Sequence, residues 1–133
     1  MAEAFQEILA TRVVMMPRDT NAHGTIFGGH ILSLIDQAGA IACHGIGAGT
    51  LVTVAMHEVE FKEPVWVGDL VTCYATVERV GRTSVTARVR VVAQAPTSAG
   101  LHGTPREVTE AEVVYVNVDA NYCPIPITRT DGG

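Results

Sequence analysis

Asp19-Thr20-Asn21-Ala22-His23-Gly24-Thr25-Ile26-Phe27-Gly28-Gly29 leads directly into His30-Ile31-Leu32-Ser33-Leu34-Ile35-Asp36. A polar turn ends in a glycine pair, the pair opens an apolar helix, and that helix carries one carboxylate. Ile31, Leu34, Ile35, Ala38 and Ala42 recur at steps of three and four, which predicts a helix from Gly28 or Gly29 to about His44. Gly45, Gly47 and Gly49 read as its stop signal. On a helical wheel Asp36 falls away from the apolar stripe, near Gly29, Ser33, Ala40 and Cys43. Small residues around one carboxylate predict close approach by another backbone. A carboxylate so placed is costly unless it is paired or used.

Working outward, the period changes from helical to alternating. Arg12 to Met16 reads as a short strand ended by Pro17, and 18–27 as a polar turn. Leu51 to Phe61 is a strand, and Pro64 to Asp69 a turn region. In 70–80, Val71, Cys73, Ala75 and Val77 alternate with Thr72, Tyr74, Thr76 and Glu78. Gly81-Arg82 makes a tight reversal. In 83–93, Val85, Ala87, Val89 and Val91 alternate with Ser84, Thr86, Arg88 and Arg90. Residues 94–105 form a loop rich in Pro, Gly, Ser and Thr. Val108 to Val118 is the last strand, followed by an irregular tail from Asp119. One strand, one helix and hairpin-linked strands predict an α+β domain, an antiparallel sheet wrapped around a central helix. A single helix cannot cover every edge of such a sheet, so a homo-oligomer is expected.

Composition sets the outer limits. The 133 residues suit a single domain (1–133) with a sizeable core; 47% are apolar and 17% charged. A net charge of −5 argues against nucleic acid as a partner. The interrupted apolar runs argue against a membrane span, and Met1 to Glu7 lacks signal-peptide features. Cys43, Cys73 and Cys123 form no Cys-x-x-Cys and read as reduced thiols, two of them core packing, so a cytoplasmic location is expected.

The run Asp-Thr-Asn-x-x-Gly-x-Ile-Phe-Gly-Gly, with Asp36 seven residues after Gly29, resembles the hot-dog-fold acyl-coenzyme A thioesterases. The similarity is to the YciA-type bacterial enzymes and brain-type acyl-CoA hydrolases. It continues through Val52-Thr53-Val54, Phe61-x-x-Pro64-Val65-x-x-Gly68-Asp69 and Gly81-Arg82-Thr83-Ser84-Val85, covering roughly 12–118. The resemblance implies hydrolysis of an acyl-CoA thioester to free acid and CoA. It also implies a catalytic Asn and Asp from different subunits of a dimer, roles that fall on Asn21 and Asp36. Hexamers built as trimers of dimers, with CoA along subunit interfaces, are implied likewise. Ala55-Met56-His57 departs from the more polar, often Arg-containing segment of the family, and His23 and His30 receive no role.

The residues suit that chemistry, each with a plainer alternative. Attack on a thioester produces an oxyanion, which the Gly28 and Gly29 N–H groups at a helix N-terminus would hold. The same pair also serves a tight turn. Asp36 would act as general base or as nucleophile, or else be an ordinary solvated helix residue. Asn21 would orient water or thioester through its amide, or simply close an Asx turn. Arg82, Thr83 and Ser84 suit CoA phosphates, with Arg79, Arg88 and Arg90 as further cations, or form a solvated turn. His57 is placed against a core or a subunit contact, His44 at a helix end and His102 in a loop. No spacing resembles a metal site or a serine nucleophile, so no metal or other cofactor is expected, CoA being part of the substrate. The rival readings are a hot-dog dehydratase or hydratase, with His23 in play, and a non-catalytic acyl-CoA-binding module.

Overall fold

The computed structural model describes residues 5–46, 49–100 and 102–127. Strand β1 (Ile8–Val14) leads through a 3-10 turn (Pro17–Asp19) to helix α1 (Gly28–Ala42), then β2 (Thr50–Phe61), β3 (Leu70–Val80), β4 (Ser84–Gln94) and β5 (Arg106–Val118). All pairings are antiparallel, in the order β1-β3-β4-β5-β2. The expected α+β arrangement is therefore present, with β1 and β2 at the two open edges.

The alternating strands put their predicted faces inward. Val71, Cys73, Ala75, Val85, Ala87, Val89 and Val91 are buried against Ile31, Leu34, Ile35 and Ala38 of the helix. Cys73, Ala75, Ala87 and Ala111 keep the middle of the sheet low, which lets α1 lie close on it. Cys43 and Cys73 are buried free thiols, as expected, and Cys123 is exposed.

Some boundaries differ from the sequence reading. β1 starts at Ile8 because β3 offers partners as far as Ala75, and it ends at Val14. The chain then turns inward, burying Met15, whose N–H donates to the Asp69 carbonyl. The helix ends at Ala42, with Cys43 as its cap; Gly45 adopts φ +88° in the turn beyond, and Gly47 lies outside the described residues. On the small-residue face Cys43 is fully buried and Asp36 half-buried, whereas Ser33 and Ala40 are exposed. Of the two places expected for His57, the core is excluded: it is exposed on the edge strand β2, opposite Glu112 on the outer face.

Asp69, in the turn before β3, is buried and accepts hydrogen bonds from Arg106 Nη2 at 2.9 Å and the Trp66 N–H at 3.0 Å. A carboxylate taken from water needs such partners. Its place in the Pro64–Asp69 motif is thus explained by folding.

Candidate active site

The first half of the site is the entrance to α1. Phe27 is the N-cap and supplies no side-chain cap. Its N–H donates to the Asp19 carbonyl at 2.8 Å, and the Ile26 N–H to Val65 at 2.8 Å, which fixes the chain's approach. The next two N–H groups, on Gly28 and Gly29, donate to no acceptor among the described residues. They are the orphan donors of a first helical turn. Gly28 lines a cleft of ≈ 240 Å³ with Ile31, Phe61, Lys62 and Val65, while Gly29 borders a more open hollow with Arg18, Asp19 and His30.

The two glycines are not equivalent. A Cβ on Gly29 would stand 2.6 Å from the Phe27 ring, whereas one on Gly28 would meet Phe61 at an ordinary 3.7 Å. A Cβ at Gly29 would thus require the exposed Phe27 ring to turn aside, while one at Gly28 would displace nothing.

Asn21 sits in the loop before this entrance with its side chain engaged. Oδ1 accepts the N–H groups of His23 at 2.8 Å and Thr25 at 3.3 Å, and Nδ2 donates to Thr25 Oγ1 at 2.8 Å. The Asx turn is real, yet one of the two amide hydrogens stays unassigned. His23 is exposed, and His30 Nε2 stops 3.7 Å from Asp19 Oδ2.

The second half surrounds Asp36, two turns along the helix and half-buried. Thr53 Oγ1 donates to its Oδ1 at 2.6 Å, and the Tyr115 hydroxyl donates to its backbone carbonyl at 2.7 Å. The β2–β5 register is shifted between Thr53 and Ala55, a bulge that re-aims the strand at the point where Thr53 reaches α1. Neither Thr53 nor Tyr115 was singled out as functional from sequence. The only signal for Thr53 was its place in Val52-Thr53-Val54, because a bulge has no sequence mark.

Arg82, Thr83 and Ser84 lie in the β3–β4 turn at this same end of the sheet, since Val85 pairs with Tyr115. The turn is fixed by Gly81 N–H to Ser84 O and Asn117 N–H to Thr83 O, at 2.7 and 2.8 Å. Among the described residues the Arg82 guanidinium has no carboxylate partner. Arg79 and Arg88 are instead paired with Glu112, and Arg90 with Glu7, so these three serve the outer face of the sheet. No group of three His, Cys, Asp or Glu converges as a metal site among the described residues.

The two halves do not meet within one chain. At a rise of about 1.5 Å per residue, Gly28 and Asp36 are separated by about 12 Å along α1. A carbonyl oxygen held at the helix entrance lies beyond the reach of the same chain's Asp36. The structure places the Asn21 loop and the Gly28–Gly29 entrance before and at the start of α1, and Asp36 with Thr53 and the Arg82–Ser84 turn toward its other end.

The profile of the thioesterase superfamily matches residues 23–99. The chain is 40% identical to the acyl-CoA thioester hydrolase YciA of Salmonella typhimurium over 119 residues, covering 90% of this chain and 89% of that protein. A hexameric hot-dog-fold thioesterase of Campylobacter jejuni superposes with a TM-score of 0.83 at 45% identity, covering 90% of each chain. A hexameric broad-specificity acyl-coenzyme A thioesterase, solved as an Asp-to-Ala mutant, superposes at 0.85 with 40% identity, covering 93% of this chain and 88% of that one. The chain belongs to the thioesterase superfamily, and within it to the hot-dog proteins related to YciA.

Proposed function

We propose that the protein is an acyl-CoA thioesterase, hydrolysing acyl-CoA to a free acid and CoA, and that it works as a homo-oligomer. The observation that carries this reading is the separation of unpaired helix-entrance donors from the Asp36 carboxylate, in a chain related to hexameric thioesterases. Each site takes Asn21, Gly28 and Gly29 from one subunit and Asp36 from another. The dimer is its minimal unit, and three dimers form the hexamer.

The thioester oxygen lies on the Gly28 and Gly29 N–H groups, whose charge complementarity grows as the carbonyl becomes an oxyanion. Asn21 offers its remaining amide hydrogen to the carbonyl or the attacking water. Asp36 takes a proton from that water, or attacks the carbonyl itself to give an anhydride that water then opens. The tetrahedral intermediate collapses by breaking the C–S bond, and the CoA thiolate leaves. Arg82, Thr83 and Ser84 hold the phosphates of the CoA nucleotide. No step draws on a metal or redox cofactor, and the protein acts in the cytoplasm on a substrate dissolved in water.

Thiol release from a panel of acyl-CoAs tests the activity, with Asp36→Asn and Asn21→Ala each expected to abolish most turnover. Mixing the two inactive variants and letting subunits exchange tests the shared site. Random pairing should restore roughly a quarter of wild-type activity, because half of the dimers then carry one intact site. No recovery, with exchange verified by mass, would place both residues in one chain's site. Treatment with EDTA is expected to leave turnover unchanged.

A further inference from the structure

We propose that Tyr115 is a positioning residue for the hydrolytic step, its hydroxyl fixing the main chain of Asp36 while Thr53 fixes the carboxylate. The inference rests on Asp36 as the reacting carboxylate, and it assigns work to residues that the sequence motifs leave out.

Tyr115 is 1% exposed, so its hydroxyl needs a partner inside the protein. Any carbonyl within its reach would serve that need. The acceptor is the carbonyl of the residue bearing the candidate base, at 2.7 Å. A helix carbonyl keeps a second lone pair after its own i+4 bond, so the phenol adds a contact without breaking the helix.

The helix is shaped to receive it. A Cβ at Gly39 would collide with the Tyr115 hydroxyl, and Gly39 is itself buried. A glycine in a helix interior costs about 0.5–1 kcal/mol relative to alanine, and here it opens the seat for one oxygen atom. Burial, and next the Asp36 charge, push the Tyr115 phenol well above its ordinary value, so it remains a donor throughout the working range of pH.

The grip is also symmetrical. Thr53 and Tyr115 are direct cross-strand partners on β2 and β5, on the face that meets α1. One rung of the sheet thus holds Asp36 by its side chain and by its main chain. Rotation or sliding of α1 would have to break both contacts. Catalysis is sensitive to such small displacements, since misplacement by about 1 Å can cost roughly 100-fold in rate.

The test is steady-state kinetics of Tyr115→Phe on the assembled enzyme, with its melting temperature and oligomeric mass. A fall in kcat of roughly 10- to 100-fold, with KM within about twofold and the hexamer intact, is the expected result. Gly39→Ala, which fills the hydroxyl's seat, should reproduce the same split between kcat and KM. Unchanged kcat in Tyr115→Phe would overturn the proposal and leave the hydroxyl as a satisfied core group. A parallel loss of kcat, KM and oligomer would overturn it too, in favour of a purely structural role. Asp36→Asn is measured alongside. If that variant keeps its turnover, the underlying assignment of Asp36 fails, which is a different failure from an inactive Asp36→Asn beside an unaffected Tyr115→Phe.

Discussion

Thr53 makes the shortest side-chain contact to Asp36, 2.6 Å from hydroxyl to carboxylate. A hydrogen bond to a charged group is worth about 1.5–3 kcal/mol. Thr53→Val keeps the shape and removes the donor, so kcat is expected to fall by roughly 10- to 100-fold, read by thiol release at saturating substrate. Asp69 answers to stability instead. Asp69→Ala leaves the Arg106 guanidinium without its buried partner and the Trp66 N–H without an acceptor. Arg106 keeps Glu63 and the Pro64 carbonyl, so the expected loss is about 1–3 kcal/mol, measured by urea unfolding. Cysteine reactivity divides as cleanly. Burial pushes the Cys43 thiol up to about 11 and raises Cys73 as well, whereas Cys123 is exposed. One thiol per chain should react rapidly with a disulfide reagent in the native protein, and Cys123→Ser should abolish that reaction.

The elements were legible in the sequence to differing degrees, for physical reasons. The helix and the strands β3 and β4 announced themselves because their apolar periods are those of the core they build. β1 was read as too short, since Ile8 and Leu9 owe their strand conformation to pairing with Ala75 and Tyr74 rather than to a buried pattern. Asp36, Asn21 and the glycine pair were visible as a motif. Thr53 and Tyr115 were not, because what joins them to Asp36 is a cross-strand rung that only the register creates. At the helix entrance, Gly28→Ala meets only ordinary contact with Phe61, so it should leave stability within about 1 kcal/mol of wild type while narrowing the cleft and lowering kcat/KM. Gly29→Ala must displace the Phe27 ring and should lower the melting temperature as well. On the outer face, Arg90 holds Glu7 in a two-pronged ion pair of 2.7 and 2.8 Å, which keeps that carboxyl below its ordinary value. The stability it adds is present above the ordinary carboxylate range and is lost as pH falls through the lowered value. Arg90→Gln should therefore cost up to about 1 kcal/mol at neutral pH, with the two unfolding curves converging in acid.

For the whole molecule, both edges of the sheet remain open, and they carry exposed apolar residues. Ile8, Leu9, Val13 and Val14 lie on β1, and Val54, Val59 and Phe61 on β2. Unpaired edges of that character call for a partner chain. The sequence indicated as much, since one helix cannot cover such a sheet, but it held no information on which edges would be left. On the proposed division of each site between subunits, turnover per chain should decline on dilution in step with the oligomer, as followed by sedimentation. The same strand order has a consequence for how the protein is born. β2 leaves the ribosome before β3 and β4, yet among the described strands of its own chain it pairs with β5, the last to be made. At ordinary rates of synthesis β2 waits several seconds, roughly, with its backbone bare, so a nascent chain stalled before residue 106 is the form of this protein most in need of a chaperone.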